Sequence, residues 1–342
     1  MRKRVLIIGA GRRGQNSYLP AFHCLSHLFE VVGLHSRTSA RAVAVARKWH
    51  VPAVDRLADI DLSTIDLAVV AVPPDQNVAV LQALLPFARG LNILIDTPIA
   101  SDRKQLESVV PLLEQFESVT VAEDHMNFPF HKIARDAAAE GIIGRPKSLS
   151  LLNIGYLYHG LSIIRALTGF APATGSWNKP LGTHGKVVGF TFADGFTATM
   201  IGPYRRQDKV AGLILEGASG IISETAMDAN YIGHNRKMYV LQPIRSDGQI
   251  IAYSVTGKDY KRVMELPYIN QLRTLDFPDK SEINLLQVSG NMDIILSIFH
   301  EWNINRGYGY KNGLYDSFAA GRADSGYHQL DTLPQIMPWL AN

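Results

Sequence analysis

The sequence predicts an α/β protein of two domains, a doubly wound parallel sheet followed by an α+β domain with a largely antiparallel sheet. Three observations lead there. In the first third of the chain, continuous apolar runs alternate with amphipathic stretches of helical length, the grammar of a parallel sheet with crossover helices. The first run, Val5-Leu6-Ile7-Ile8, leads into Gly9-Ala10-Gly11-Arg12-Arg13-Gly14, a G-x-G-x-x-G spacing. After residue 125 the runs shorten and two pairs of them flank Asp-Gly turns, the signature of β-hairpins.

The elements follow in order. Strands are expected at Arg4–Ile8, Glu30–His35, Leu67–Val72, Asn92–Ile95 and Ser118–Ala122. Each is a continuous apolar run because a parallel strand covered by helices is buried on both faces. Helices are expected between them, at Gly14–Leu28, Ser39–Lys48, Asn77–Arg89 and Ser101–Phe116. This first domain covers 1–124, and 125–342 is assigned to the second. There the pattern predicts a helix at His131–Glu140, a strand at Ser148–Asn153 and a helix at Leu161–Leu167. Strands Val187–Phe192 and Phe196–Ile201 flank Ala193-Asp194-Gly195, and Lys237–Pro243 and Gln249–Ser254 flank Asp247-Gly248. A long amphipathic helix is expected at Glu282–Trp302.

Composition narrows the function. With 46% hydrophobic and 19% charged residues, the chain reads as an ordinary globular protein. The formal net charge is +3 and the basic residues are scattered, whereas a nucleic-acid surface needs a patch or stripe. Cys24 is the one cysteine, which excludes an intrachain disulfide framework and fits a reducing cytosol. The apolar run after Met1-Arg2-Lys3-Arg4 stops at Gly11, too short for a secretory segment, and no later stretch has the length of a membrane span. A cytoplasmic protein acting on a small molecule, without nucleic-acid or membrane partners, is expected.

The glycine motif carries the chemistry. One glycine permits the tight turn, one lets the backbone approach a diphosphate, and one lets helix and strand pack closely, with the helix N-terminus facing the anion. Gly9, Gly11 and Gly14 stand after a buried-type strand and open a helix, the context of a Rossmann dinucleotide site. Arg12 and Arg13 fall within it. At the end of the second strand an NAD site places Asp or Glu on the ribose; here the residues are His35-Ser36-Arg37-Thr38. Arg37 can grip a 2′-phosphate with its planar fork, and Ser36 and Thr38 add hydroxyls, so NADP is expected in preference to NAD. The bland readings are a solvated Arg37 and a Thr38 or Ser39 that only caps the next helix. Val72-Pro73-Pro74, with Asn77 after it, makes a stiff turn that either lines the nicotinamide side of the crevice or is just a loop.

Together these segments resemble the Gfo/Idh/MocA family, the glucose–fructose oxidoreductases, inositol dehydrogenases and relatives. The resemblance rests on Gly9 to Gly14 with "SYLPAFHCL", on "SRTSARA", on Val72-Pro73-Pro74, on Asp96-Thr97-Pro98, and on "HGLSIIRALTG" at 159–169. It covers the first 125 residues well and the rest thinly. It implies a Rossmann domain joined to an α/β domain whose open antiparallel sheet makes homodimers or homotetramers. It also implies hydride transfer between NAD(P) and a carbinol, ketone or imine carbon, and adds Asp96, Thr97 and Pro98 to the cofactor side. The family motif after this strand is Glu-Lys-Pro with lysine as proton donor; here Asp96 and Thr97 stand in the first two places. The family's Asp-x-x-x-His has Gly155 in place of the aspartate and keeps His159, and a histidine common after the double proline is Asn77.

A threonine hydroxyl can hydrogen-bond a developing alkoxide but cannot protonate it near neutrality without a relay. A positioned acid is worth about 10²–10⁴-fold in rate. His159, of ordinary pKa about 6.5, can serve; its bland role is bracing a helix start. Tyr156 is a positioning candidate beside it, with Tyr158 alternating around Leu157, and His125 in "AEDHMNFP" is a second candidate acid. Glu123 and Asp124 read as a salt bridge or a solvated turn. An iminium accepts hydride without forming an oxyanion, so a reductase of imines or conjugated bonds is an alternative. A non-catalytic NADP-binding sensor is the alternative of another class. No zincin, G-x-S-x-G or metal-ligand spacing is present, and Arg205 and Arg206 read as a solvated hairpin end.

Overall fold

The computed structural model describes residues 1–152, 156–181, 185–203, 212–224, 236–266, 268, 271–272, 283, 285–299 and 308–320. Gly155, Arg205, Arg206 and residues 300–302 lie outside the described residues. The chain packs as two compact units. The first joins Met1–Asn127 to the described part of Tyr268–Ser317; the second contains Phe128–Pro267 and, of the described residues beyond, 318–320.

The first unit is built on strands β1 (Lys3–Ile8), β2 (Phe29–His35), β3 (Ala53–Val54), β4 (Leu67–Val70), β5 (Asn92–Asp96) and β6 (Ser118–Ala122). All pair in parallel, in the order β3-β2-β1-β4-β5-β6. That order reverses beside β1, which places the switch-point crevice at the carboxyl ends of β1 and β4. Val5 to Ile8 and Leu67 to Val70 are at most 1% exposed, so their unbroken apolar runs reflect burial on both faces. The crossovers carry α1 (Leu19–Cys24), α2 (Ser39–Trp49), α3 (Pro74–Leu84) and α4 (Arg103–Leu113). The helix expected at Gly14–Leu28 is instead a π-turn, Gly14–Tyr18, running into the short α1. The third helix begins at Pro74 rather than Asn77, because a proline at the first position needs no amide partner.

The second unit holds α5 (Pro129–Ala139), β7 (Pro146–Leu152), α6 (Leu157–Leu167), β8 (Ala173–Leu181), β9 (Gly185–Phe192), β10 (Thr197–Pro203), β11 (Gly212–Gly217), β12 (Gly220–Ser223), β13 (Lys237–Ser246), β14 (Gln249–Gly257) and β15 (Tyr260–Glu265). Its nine strands run β15-β14-β13-β12-β11-β7-β10-β9-β8, antiparallel except for β7–β10 and β12–β13. Both expected hairpins form. In the β13–β14 turn Asp247 and Gly248 have φ of 50° and 76°, the left-handed pair a two-residue hairpin loop requires.

Two helices follow, α7 (Leu285–Phe299) and α8 (Tyr310–Ala320). The sequence pattern assigns everything after residue 124 to the second domain. The structure instead packs α7 onto α1, the π-turn and the short turn after β6, all in the first unit. Val288, Ile294 and Ile295 of α7 are fully buried, and that apolar stripe is the physical reason. Among the described residues no helix is long and apolar enough to cross a membrane.

Candidate functional site

The glycine loop shows what each glycine is for. Gly9 has a φ of 125°, and a Cβ there would lie 2.2 Å from the carbonyl oxygen of Ala71. A Cβ on Gly14 would lie 2.2 Å from the carbonyl oxygen of Gly9. Both contacts are with backbone, so the turn after β1 closes only with glycine in those places. A Cβ on Gly11 would meet nothing within 4 Å. Gly11 therefore lies bare at the start of the helical segment, where free amide groups and the helix end favour an anion. These are the features of a diphosphate cradle, and the residues present fit a dinucleotide.

At the end of β2, Arg37 and Thr38 are exposed and Ser36 is half-buried. The Arg37 guanidinium donates to Gln76 Oε1 at 3.2 Å, an exposed bond to a neutral group. An ion pair with a phosphate would be about twice as strong. Thr38 occupies the N-cap of α2, but its side chain makes no capping bond; Ser39 donates instead to Asp55. Val72, Pro73 and Pro74 form the turn from β4 into α3. Asn77 is 1% exposed and its amide Nδ2 donates to the Ile99 carbonyl at 2.8 Å. It lies beneath the turn after β5 and acts on it from below.

That turn, Asp96-Thr97-Pro98, contains a cis Thr97–Pro98 peptide. Thr97 is half-exposed, and among the described residues its hydroxyl has no hydrogen-bond partner. Asp96, by contrast, is fully engaged. Arg13 Nε and Nη2 donate to it at 3.1–3.3 Å, and the Tyr18 hydroxyl donates at 2.8 Å. Arg13 Nη1 also donates to Asp124 Oδ2 at 2.7 Å. Arg13, expected on the cofactor, thus turns its guanidinium onto two carboxylates. Burial works against its charge, but Asp124 and Asp96 outweigh this and hold its pKa well above the ordinary value. Burial, then the charge of Asp96, keep the Tyr18 phenol protonated far above its ordinary range.

The network continues through Asp124 Oδ1 to the His125 ring, whose Nδ1 is 2.8 Å away and 3.5 Å from Glu123 Oε1. Glu123 and Asp124, read as a salt bridge or a solvated turn, are fully buried partners in it. Burial disfavours the imidazolium, but the hydrogen bonds to Asp124 and Glu123 prevail and raise its pKa to about 9. At neutral pH His125 is therefore a cation held by two carboxylates.

A stability consequence follows. The folded pKa lies above an unfolded value of about 6.5, so the gain is complete below that pH and disappears as pH rises toward 9. At 1.36 kcal/mol per pKa unit, up to about 3 kcal/mol is expected to be lost between pH 6.5 and 9. Urea midpoints across that range, with an NMR titration of the His125 ring, check it; a ring midpoint near 6.5 would contradict it.

In the second unit, His159 lies in the first turn of α6 and is 8% exposed. The helix starts at Leu157, four residues before the expected Leu161, with Tyr156 at its N-cap making no side-chain cap bond. Tyr156 and Tyr158 are therefore not strand neighbours; their rings stack at 5.5 Å and 11°. The Tyr158 and His159 ring centroids are 4.3 Å apart, and those of Tyr156 and His159 are 5.7 Å apart. Nothing in the sequence marks Tyr18 as part of the site. Tyr18 stands five residues after Arg13, a spacing with no meaning in an α-helix. It acquires one only through the π-turn.

The first unit is thus a six-stranded parallel sheet with a glycine cradle at its switch point, and the second holds an open mixed sheet. Known proteins resemble both parts to different degrees. Residues 3–125 match the Gfo/Idh/MocA model, described as an oxidoreductase family with an NAD-binding Rossmann fold. The match covers the parallel-sheet domain and stops before the second unit. A comparison with curated protein sequences finds no match. Among solved structures, an oxidoreductase from Thermotoga maritima aligns with TM-score 0.64 and 18% identity, over 96% of this chain and 97% of that one. An oxidoreductase from Agrobacterium radiobacter in complex with NAD+, L-tartaric acid and magnesium aligns with TM-score 0.64 and 13% identity, over 92% and 93%. A 3-ketoreductase from Actinomadura kijaniata in complex with NADP aligns with TM-score 0.59 and 16% identity, over 95% and 96%. At these identities the likeness establishes the fold.

Proposed function

We propose that this chain is an NADP-dependent oxidoreductase transferring hydride to or from a carbonyl or carbinol carbon of a small molecule in the cytoplasm. The observation that carries the reading is the pairing of the glycine cradle with an exposed Arg37 just after β2, flanked by Ser36 and Thr38 in a segment, 35–39, that itself contains no carboxylate. When bound, the cofactor supplies or accepts the hydride. The chain's own residues do the rest. Gly9, Gly11, Arg12 and Gly14 shape the backbone cradle for the diphosphate, and Ser36, Arg37 and Thr38 hold the 2′-phosphate. Val72, Pro73, Pro74 and Pro98 form stiff borders toward the nicotinamide. His159 holds and releases the proton, Tyr156 orients it, and the Thr97 hydroxyl hydrogen-bonds the substrate oxygen.

Fluorescence titration with NADPH and NADH tests the cofactor assignment. NADPH is expected to bind at least tenfold more tightly, and Arg37→Asp to reverse that order by placing a carboxylate against the 2′-phosphate. An unchanged preference in Arg37→Asp would remove Arg37 from the site. His159→Asn is expected to lower turnover 10²–10⁴-fold with cofactor affinity unchanged.

The threonine at position 97, a poor proton donor, supports a second reading, reduction of an imine or conjugated bond, which needs no acid at this place. A screen of ketones against imines separates the two. NADPH binding with turnover of neither would point to a non-catalytic NADP-binding sensor. The sheet of the second unit is proposed to join copies into a homodimer or homotetramer. The 43% and 49% exposure of Trp177 and Leu181 on β8 supports that surface.

A further inference from the structure

We infer that Arg13 and Tyr18 are positioning residues that fix the Asp96-Thr97-Pro98 turn, and with it the nicotinamide half of the site. The inference rests on the nucleotide-binding function proposed above and assigns the work of two residues within it.

Both side chains come from the segment after the glycine loop. The π-turn Gly14–Tyr18, closed by the Leu19 amide donating to the Gly14 carbonyl, sets residues five apart over one another. Arg13 and Tyr18 therefore share a face, with the guanidinium carbon 5.4 Å from the phenol ring centroid. From there both reach Asp96, the last residue of β5. Three donor atoms converge on that carboxylate, two from Arg13 and one from Tyr18. Its far side is held too: the buried Asn77 amide grips the Ile99 carbonyl. Thr97 thus stands between two anchored residues, 96 and 99, while its own hydroxyl has no partner among the described residues. The geometry is that of a side chain presented by its supports.

The alternative role for Arg13, direct contact with the cofactor diphosphate, would take its guanidinium from two carboxylates, the buried Asp124 at 1% and Asp96 at 13% side-chain exposure. Stranding a buried charge is strongly unfavourable. Sheet order supplies the rest. The carboxyl ends of β1, β2 and β3 serve one mononucleotide half, and those of β4, β5 and β6 the other. Asp96 and Thr97 end β5, in the half opposite the adenosine.

The test compares two probes, NADPH and 2′-phospho-ADP-ribose, which lacks the nicotinamide. Tyr18→Phe removes one hydrogen bond and keeps the buried ring. It is expected to weaken NADPH about tenfold and to leave the fragment within twofold. Arg13→Gln is expected to show the same split more strongly, and Tyr18→Phe keeps the test alive if Arg13→Gln fails to fold. Equal weakening of both probes would overturn the inference, since direct phosphate binding or general damage to the fold produces that result. No change in either probe would overturn it as well. If the unaltered protein binds neither probe, the nucleotide reading itself fails first.

Discussion

Gly9→Ala is expected to abolish detectable NADPH binding and to destabilise the protein by about 3 kcal/mol or more, summing backbone strain and overpacking of about 1–3 kcal/mol each. The new Cβ would lie 2.2 Å from the Ala71 carbonyl oxygen and 2.7 Å from its carbonyl carbon. Those atoms belong to the chain leaving β4 and cannot rotate aside as a side-chain tip would. Relief requires moving the β1 turn away from β4, which displaces the amides that face the diphosphate. Gly90→Ala is the control: φ is 91°, but a Cβ there meets nothing within 4 Å. It therefore carries the conformational cost alone. Urea denaturation and NADPH titration of both variants check the difference. Equal midpoints for the two would show that the approach of β1 to β4 is not what glycine is needed for.

The second large effect is expected at Asp124. Asp124→Ala should cost about 3–5 kcal/mol, the scale for breaking a buried ion pair from one side. Its carboxylate, 1% exposed, is the common partner of Arg13 at 2.7 Å and His125 at 2.8 Å. Removing it leaves two cations without that counter-charge and lets His125 titrate closer to its ordinary range. The variant should therefore also lose much of the fall in stability between pH 6.5 and 9. Denaturation midpoints at both ends of that window measure the two effects together. A small loss at pH 7 with the slope intact would mean that Glu123 and Asp96 carry the charge balance without it.

Burial explains which parts of this fold were legible. The central parallel strands stand out because both faces are covered, leaving Val5 to Ile8 and Ile93 to Ile95 unbroken. The edge strands of the second sheet were missed for the opposite reason. β8 carries Trp177, Asn178, Lys179 and Pro180, and β15 carries Lys261, Arg262 and Glu265. An edge strand pairs on one side only and is kept polar, which erases the apolar signal. The start of α6 was hidden because Tyr156 offers no capping oxygen to the first amides. At the site, the glycine spacing is local and was read directly. The Arg13–Asp96–Asp124 network joins residues up to 111 apart and depends on a π-turn, for which hydrophobic periodicity has no signature.

The return of α7 to the first unit bears on the order in which the chain can fold. The unit that holds the glycine loop is discontinuous, left at residue 127 and rejoined at 268. During synthesis the six parallel strands are complete by Ala122, yet the outer face of α1 and the π-turn lacks its cover until Phe299 has been made. Through that interval a nascent chain exposes the apolar surface that Val288, Ile294 and Ile295 later shield. The Ser17 hydroxyl likewise waits for Gln287, 270 residues away. Contacts of such sequence separation slow folding, so the nucleotide-binding unit, although first in sequence, is among the last parts of the molecule to be finished.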